Sequence, residues 1–399
     1  MRSLGHILIF TKEYLHPRIS VTGGTGVFYK NLAEKLTERG YQVSVFGSHK
    51  KAVSFQENNI RFKFVKDYFN KNILTELLRS LSGKHSIFSG FHNRLYIKEK
   101  RYLITGLKLF IDELEDTPDI IESHDWDGIS LFLNELNIPY VVRFHGSWTV
   151  LQKYFGYNVG YGRVSCEKLA LPKSNNNIAV SEFSRAVNEE LFQIKNTKII
   201  YNGIDTDYWK PYPKSDFIPC SIFYFGEVKE EKGATIALQA FLRLRKEIPQ
   251  ATLHFIGHAG KFEQHLRSFA GEDIENSIKF YGRQKGENIK RLIGQAQIML
   301  FPSKGENFSL SLLEAMAMEK AVICSAIPAF EEIITDGYNG MLANSPEVFA
   351  EKALVLFRQN ELRTEMARMA RKTVKQRFDT DHMVNQTLLY YQEIYERPQ

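Results

Sequence analysis

Two carboxylates stand with seven residues between them in KGENFSLSLLEAMAMEKAVICS, residues 304–325: Glu306 beside a glycine, and Glu314 inside an apolar run. A carboxylate in an apolar run is costly unless a hydrogen-bond donor or a cation meets it. The residues before them, QIMLFPS, read as a strand that ends in the loop KGEN and turns into the helix SLSLLEAMAM. In parallel α/β sheets, ligands bind beyond the carboxyl ends of the strands. The N–H groups of Phe308, Ser309 and Leu310 at the helix entrance, with Asn307 beside them, would form an anion site aided by the helix dipole. Glu306 would accept from hydroxyls on one side of the anion. Glu314, roughly 12 Å further along if the segment is fully helical, would accept from hydroxyls on the other. Ribose, diphosphate and sugar follow in that order in a nucleoside diphosphate sugar. The structural alternative makes Glu306 a helix cap and pairs Glu314 with Lys320 or another cation.

Three further groups fit the same chemistry. In FYFGEVKEEKG, residues 223–233, Lys232 precedes the glycine that opens a helix, where an ammonium would offset a diphosphate leaving group. In VVRFHGSW, residues 141–148, His145 follows a strand and precedes Gly146, so its imidazole lies at a strand end. In VTGGTGVFYKNLAEKL, Gly23 and Gly24 open a helix and permit close ligand approach. Their spacing is not G-x-G-x-x-G and no acid ends the second strand, so a dinucleotide cofactor is not indicated.

These residues need strand–loop–helix units to position them, and such units recur along the chain. Strands read at HILIF (6–10), YQVSVFG, DIIES (119–123), YVVRF (140–144), IAVSE (178–182) and KIIYN (198–202), and again at SIFYFG (221–226), ATLHFIG (251–257), IKFYG (278–282), QIMLFPS and AVICS (321–325). Helical stretches between them argue for βαβ units and parallel sheets in both halves. The first helix, about Thr25 to Arg39, shows Val27, Phe28, Leu32 and Leu36 on one face, with Gly40 closing it. The stretch 203–220 has three prolines and no apolar period, which divides the chain into a first domain at 1–205, a linker at 206–220 and a second domain at 221–378. A last helix over 379–399, with Met383, Leu388, Leu389 and Tyr391, should close the fold. Residues 50–118 give the weakest pattern.

At 399 residues the chain is long for one core. No apolar run approaches the length of a membrane span, and the N-terminus reads as a strand rather than a signal peptide. Cys166, Cys220 and Cys324 are scattered and the histidines dispersed, so neither disulfides nor a metal site is expected, and a cytoplasmic setting fits. The net charge is +6, and twelve Lys and Arg against four Asp and Glu fall within 50–101. That excess is either an ordinary solvated face or a surface for anionic lipid or a phosphorylated acceptor. No nucleic-acid motif accompanies it.

Taken in order, GGTGVFYKNLAEKLTERGYQVSVF, PDIIESHDW, PYVVRFHG, IAVSEFSR, KIIYNGID, EKGATIALQAF and GENFSLSLLEAMAMEKAVICSAIPAFEEIITDGYNG resemble the retaining GT-B glycosyltransferases of family 4 over nearly the whole chain. The E-x7-E pattern, Glu306 to Glu314, is the most specific element. The resemblance implies two Rossmann-like domains with parallel sheets facing a deep cleft and a C-terminal helix that crosses back to the first domain. It implies that Glu306 holds donor-sugar hydroxyls, Glu314 the ribose hydroxyls, and the amides of Phe308 to Leu310 the sugar and diphosphate. Lys232 would neutralise the diphosphate, His145 would lie near the transferred sugar, and Gly24 near phosphates and acceptor. No bound metal or other cofactor is implied.

One residue departs from the family pattern. An arginine usually follows the glycine that ends the first donor-domain strand, and here Glu227 stands in its place. A carboxylate ~4–5 Å from a diphosphate costs several kcal/mol at an effective dielectric near 20. Rotation of Glu227 away, with Lys229 or Arg283 compensating, is the expectation. The chain is thus expected to move a sugar from a nucleotide sugar, a UDP-sugar first, to a glycan, lipid-linked or small-molecule hydroxyl, with the basic 50–101 region touching the inner membrane face. The competing readings are a non-catalytic GT-B protein that binds a glycan or a partner, and a nucleotide-sugar epimerase or hydrolase.

Overall fold

The computed structural model describes residues 4–19, 23–69, 89–212, 217–271 and 276–397. The chain divides into two compact units, Met1–Tyr201 with Met383–Gln399, and Asn202–His382.

The first unit runs β1 (His6–Phe10), α1 (Gly24–Glu38), β2 (Gln42–His49), β3 (Val53–Glu57), β4 (Ile60–Lys66), α2 (Ser89–Asp112) and β5 (Ile120–His124). A kinked 3₁₀ segment (Trp126–Glu135) leads to β6 (Tyr140–Phe144), α3 (Trp148–Phe155), α4 (Tyr161–Ala170), β7 (Asn177–Ala179), α5 (Glu182–Phe192) and β8 (Lys198–Ile199). The sheet order is β3-β4-β2-β1-β5-β6-β7-β8, parallel except for the β3–β4 pair. β1 is apolar at nearly every position because both faces of a parallel sheet are covered. Ile7 and Ile9 pack with Phe28, Leu32 and Leu36 of α1, while Leu8 and Phe10 pack with Leu103, Ile104 and Leu107 of α2. Val27 is only half-buried, and Tyr29 takes the core position instead.

The stretch 50–118, weakly patterned in sequence, holds the β3–β4 hairpin and α2. Asn58 and Asn59 join the strands with φ of 50° and 60°, the left-handed pair that a two-residue hairpin turn demands. Its basic excess lies partly on 70–88, outside the described residues. Of the described cations, Lys63 pairs with Glu113, Arg101 with Glu135, and Lys100 is buried against Glu99. No helix among the described residues is long and apolar enough to cross a membrane.

The second unit runs β9 (Ser221–Phe225), a 3₁₀ turn (Glu230–Lys232), α6 (Ala234–Glu247), β10 (Thr252–Ile256), α7 (Phe262–Ala270), β11 (Ile278–Phe280), α8 (Glu287–Gln295) and β12 (Ile298–Phe301). It continues with α9 (Leu310–Ala317), β13 (Ala321–Ser325), α10 (Pro328–Glu331), β14 (Met341–Ala343), α11 (Pro346–Arg358) and α12 (Asn360–Arg377). The sheet is parallel, ordered β11-β10-β9-β12-β13-β14. Strands β9 and β12 are neighbours from which the chain proceeds in opposite directions, the switch point at which such sheets bind ligands. The stretch expected as the start of a linker is tied down within this unit. Ile204 exchanges backbone hydrogen bonds with Phe378 and Thr380, and Thr206 donates to Asp379 at 2.6 Å. The units therefore divide at Tyr201/Asn202 and His382/Met383 rather than at 205 and 378.

The last helix, α13 (Thr380–Tyr395), joins the first core through Met383, Val384, Tyr390, Tyr391 and Ile394. Leu389 instead points outward, 67% exposed. A buried polar cluster anchors it. Arg143 of β6 donates to both oxygens of Glu122 on β5, at 2.8 and 3.0 Å, and to Thr387 at 3.1 Å. Tyr391 donates to the same Glu122 carboxylate. Removing one partner of a buried pair strands the other charge, so Arg143→Met should cost about 3–5 kcal/mol. Urea unfolding of the variant measures this; an unchanged midpoint would show that the cluster is not what holds α13.

Candidate functional site

The loop after β9 and the loop after β12 meet at the switch point. Lys232 places its Nζ 2.6 Å from Glu306 Oε1, and Ser303 Oγ donates to the same oxygen at 2.9 Å. Backbone contacts fix both loops. The Lys304 N–H donates to the Glu231 carbonyl at 3.0 Å, and the Lys304 ammonium pairs with Glu230. Tyr224 caps the first loop by donating to the carbonyls of Glu227 at 2.7 Å and Lys232 at 3.0 Å. Gly233 has φ of 72°, and a Cβ there would lie 1.8 Å from the Pro302 carbonyl oxygen. Only glycine lets the loops approach this closely. The sequence therefore predicts residues that the structure brings together. It did not single out Ser303 or Tyr224, a hydroxyl in PS and a strand tyrosine being among the commonest structural groups.

Ser309 is the N-cap of α9, its Oγ accepting from Leu312 N at 3.3 Å, while the N–H groups of Leu310 and Ser311 meet no acceptor among the described residues. Phe308 and Asn307 precede the cap in the loop. Glu306 therefore does not cap the helix; Ser309 does. Because α9 begins only at Leu310, Glu306 and Glu314 do not share one helix. Glu314 lies one turn into α9 with no side-chain hydrogen bond or ion pair among the described residues, and burial alone pushes its carboxyl up to about 8. Lys320 is not its partner: that ammonium donates to the carbonyls of Gly294 at 2.7 Å and Ala296 at 3.4 Å.

Glu227 is half-exposed and ion-paired to Lys229 at 2.8 Å, so its charge is compensated within its own loop. Arg283 stands exposed after strand β11, two strands from β9 in the sheet.

His145, Gly23 and Gly24 belong to the first unit. His145 is wedged between Phe28 and Tyr29 of α1, ring centroids 4.6 and 5.6 Å away, both edge-on. Asp125 accepts from the N–H groups of His145 at 3.1 Å and Gly146 at 3.0 Å, which sets the loop after β6. Desolvation, with Arg143 and His124 adding to it, drives the His145 pKa well below the usual value, so the imidazole is neutral. The glycine loop is not an open phosphate cradle at Gly23. A Cβ there would lie 2.5 Å from the carboxylate of Glu13, which Gly23 and Gly26 hydrogen-bond. Gly24 has open space. Among the described residues no three His, Cys, Asp or Glu side chains converge as metal ligands.

Comparison with known proteins gives this geometry a family. The model for Glycosyltransferase Family 4 matches residues 22–208, and that for Glycosyl transferases group 1 matches residues 219–373. The chain belongs to this family of glycosyltransferases. An uncharacterized glycosyltransferase of Methanocaldococcus jannaschii is 29% identical over 314 residues, which cover 76% of this chain and 84% of that one. Among solved structures, sucrose-phosphate synthase from Thermosynechococcus elongatus aligns with a TM-score of 0.76 at 16% identity, covering 98% of this chain and 99% of that chain. Anabaena HepE in complex with UDP and glucose aligns with a TM-score of 0.66 at 18% identity, covering 95% of this chain and 97% of that chain. These alignments identify the fold as GT-B.

The close approach of the two loops in this glycosyltransferase can be tested without a ligand. Gly337, with φ of 78° and open space where a side-chain carbon would stand, is the control for Gly233. Gly337→Ala should lose about 1–2 kcal/mol from left-handed strain alone. Gly233→Ala, which adds a collision with Pro302, should lose severalfold more in thermal unfolding. Equal losses would refute the packing role of Gly233.

Proposed function

We propose that this glycosyltransferase moves a hexose, with retention, from a UDP-sugar to an acceptor hydroxyl, without a metal. The observation that carries the reading is the Lys232–Glu306 pair at the β9/β12 switch point. Beside it stand the N–H groups that open α9, and Glu314 one turn on. Lys232 and Glu306 answer each other in the structure. When donor binds, the ammonium turns to the diphosphate and Glu306 takes hydrogen bonds from sugar hydroxyls. The α9 N–H groups face the phosphates, where a helix N-terminus favours negative charge.

Chemistry begins as the bond between the anomeric carbon and the diphosphate oxygen lengthens. Negative charge grows on the leaving oxygen, where Lys232 and the amides stabilise it. The acceptor hydroxyl arrives on the face the diphosphate leaves, and its proton passes to the departing phosphate oxygen. No enzyme carboxylate is assigned as a covalent nucleophile. His145, kept neutral by burial, acts as a hydrogen-bonding group near the sugar and adds no charge to an electron-poor anomeric carbon. UDP as the leaving group is supported by the UDP complex of Anabaena HepE, whose fold this chain shares. The pairing of Glu227 with Lys229 offsets that carboxylate's charge within its own loop, which supports a working donor site.

Two measurements test the reading. Lys232→Ala should slow transfer from a UDP-sugar by about 10²–10³-fold in kcat, as removal of a transition-state donor does; undiminished turnover would refute its role. Glu314 supplies a pH test. Its carboxyl is raised to about 8, whereas ribose hydroxyls donate to the ionised form. UDP binding below that pH must therefore expel a proton, so affinity should climb as pH rises from 6 and level off above about 8. Calorimetry should show this slope in the native chain and its loss in Glu314→Gln. The same slope in both proteins would place the ribose elsewhere.

A further inference from the structure

Glu167 lies on α4 and is fully buried, yet it pairs with no cation. Its Oε1 accepts from the N–H groups of Asp127 and Trp148, each at 2.9 Å. Its Oε2 accepts from the Thr149 N–H at 2.8 Å and from the Thr149 hydroxyl at 2.6 Å. A carboxylate offers about four lone-pair sites, and donors meet all four here. Three of the donors are backbone groups. Glu167 therefore holds main chain in two places at once, the turn after β5 and the start of α3.

The turn after β5 needs such a hold. Asp127 and Gly128 have φ of 63° and 60°, two left-handed residues in a row. A residue with a side chain keeps that conformation only where its surroundings impose it. Glu167 takes the Asp127 N–H, while Lys12 at 2.8 Å and Arg163 at 3.3 Å take its carboxylate. Gly128 explains how close the turn comes to α4. A Cβ there would lie 2.4 Å from the Cys166 carbonyl carbon and 2.7 Å from the Glu167 nitrogen. The turn is thus pressed onto the helix at the residue that clamps it.

The second place is the loop that carries His145. The N–H groups of His145 and Gly146 go to Asp125. Trp148 and Thr149 open α3, and the first N–H groups of a helix have no carbonyl partner within it. Glu167 takes two of these, and Ser147 Oγ takes that of Val150 at 3.2 Å. Asp125 thus anchors the front of the loop and Glu167 the back. Between the anchors Gly146 has φ of 140°, which other residues rarely adopt. Gly146 shares Asp125 with His145, so a loop released at its back end and swinging at Gly146 disturbs the bond that sets His145. All four partners of Glu167 are donors, which favours the ionised carboxylate, although burial opposes them and raises the carboxyl to about 8.

We propose that Glu167 is a positioning residue for sugar transfer. Through the backbone of Trp148 and Thr149 it fixes the loop that presents His145, and through Asp127 it locks that loop to the turn after β5. It acts through the main chain and not on the substrate. The assignment rests on the reading of His145 as the group beside the transferred sugar, and the experiment separates the two.

Glu167→Gln keeps the shape and puts an amide N–H where one oxygen stood, so donor faces donor. The full chain is studied above pH of about 8, where the Glu167 carboxyl is ionised. Hydrogen exchange of 125–128 and 145–149 should quicken together by about tenfold, the size of one lost bond to a charged group. Turnover is read as UDP released from UDP-glucose, UDP-galactose or UDP-N-acetylglucosamine, with water or methyl glucoside as acceptor. In Glu167→Gln kcat should fall about tenfold to a hundredfold, as for a small misplacement near reacting atoms. KM for the UDP-sugar should hold, because the groups assigned to the diphosphate belong to the second unit. The double variant decides between positioning and general support. If Glu167 acts through His145, Glu167→Gln lowers kcat no further once His145→Ala is in place. Thr149→Val removes only the hydroxyl bond, and carries the same cycle with a smaller loss if Glu167→Gln does not fold. Unchanged exchange, a change in KM alone, or losses that multiply in the double variant would overturn the role of Glu167 and leave His145 in place. No UDP release by the native chain, or native turnover in His145→Ala, would fault the proposed reaction itself and take the role of Glu167 with it.

Discussion

The first unit is organised around a guanidinium that has no access to water. Arg143 sits in a central strand with 0% side-chain exposure, as does its partner Glu122. Two such charges survive burial only when geometry and further hydrogen bonds satisfy them. Glu122 supplies the bidentate carboxylate, Thr387 accepts a further bond from Arg143 and Tyr391 donates to Glu122, both from the last helix, while Arg143 Nη1 meets no acceptor among the described residues. The end of the chain is thereby bound to the middle of the sheet by partners that water cannot replace. The same guanidinium lies 4.8 Å from the Phe28 ring, and Phe28 holds His145 edge-on. It also adds to the desolvation that keeps His145 neutral. One buried charge thus connects the closing helix, the first helix and the candidate catalytic imidazole.

Burial acts differently in the second unit. There the Lys232–Glu306 pair is only partly covered, with 28% and 13% side-chain exposure, so it can exchange partners when a ligand arrives. What is rigid is the backbone beneath it: Gly233 against Pro302, Lys304 bonded to Glu231, and Ser309 capping α9. A fixed frame carrying exchangeable side chains is what a diphosphate-binding site requires, because the ligand then loses little to reorganisation. The carboxylates divide by environment. Glu306 has a cation and a hydroxyl, whereas Glu314 has neither among the described residues and is pushed toward its neutral form.

Much of this was legible in sequence because the signals are local. Apolar runs bounded by glycine gave the parallel strands, since a strand covered on both faces cannot alternate. The E-x7-E stretch lay beside the correct helix start because a strand, loop and helix in a row can place their groups in few ways. The hairpin of β3 and β4 was missed although Asn58 and Asn59 mark its turn, because the aromatic and cationic residues around them mask the alternation. The short β14 has only three residues, Met341–Ala343, too few for a period to show. The last helix was recognised, and of its apolar residues Met383 and Tyr391 pack inward while Leu389 is exposed. Consecutive apolar residues leave the facing side undecided until the partner surface is known.

The sequence by itself determined two parallel α/β units, the loops that carry Lys232 and Glu306, the helix that carries Glu314, and membership in a glycosyltransferase family. These follow from periods and motifs that span tens of residues at most. Tertiary structure alone decided which charges meet. Glu13 lies against Gly23, Glu167 joins Asp127 to Trp148, and Lys320 serves carbonyls rather than Glu314. The physical reason is that electrostatic partnership depends on distance and desolvation, and neither is written along the chain. Residues far apart in sequence become partners only when the sheets bring their strand ends together and exclude the water between them.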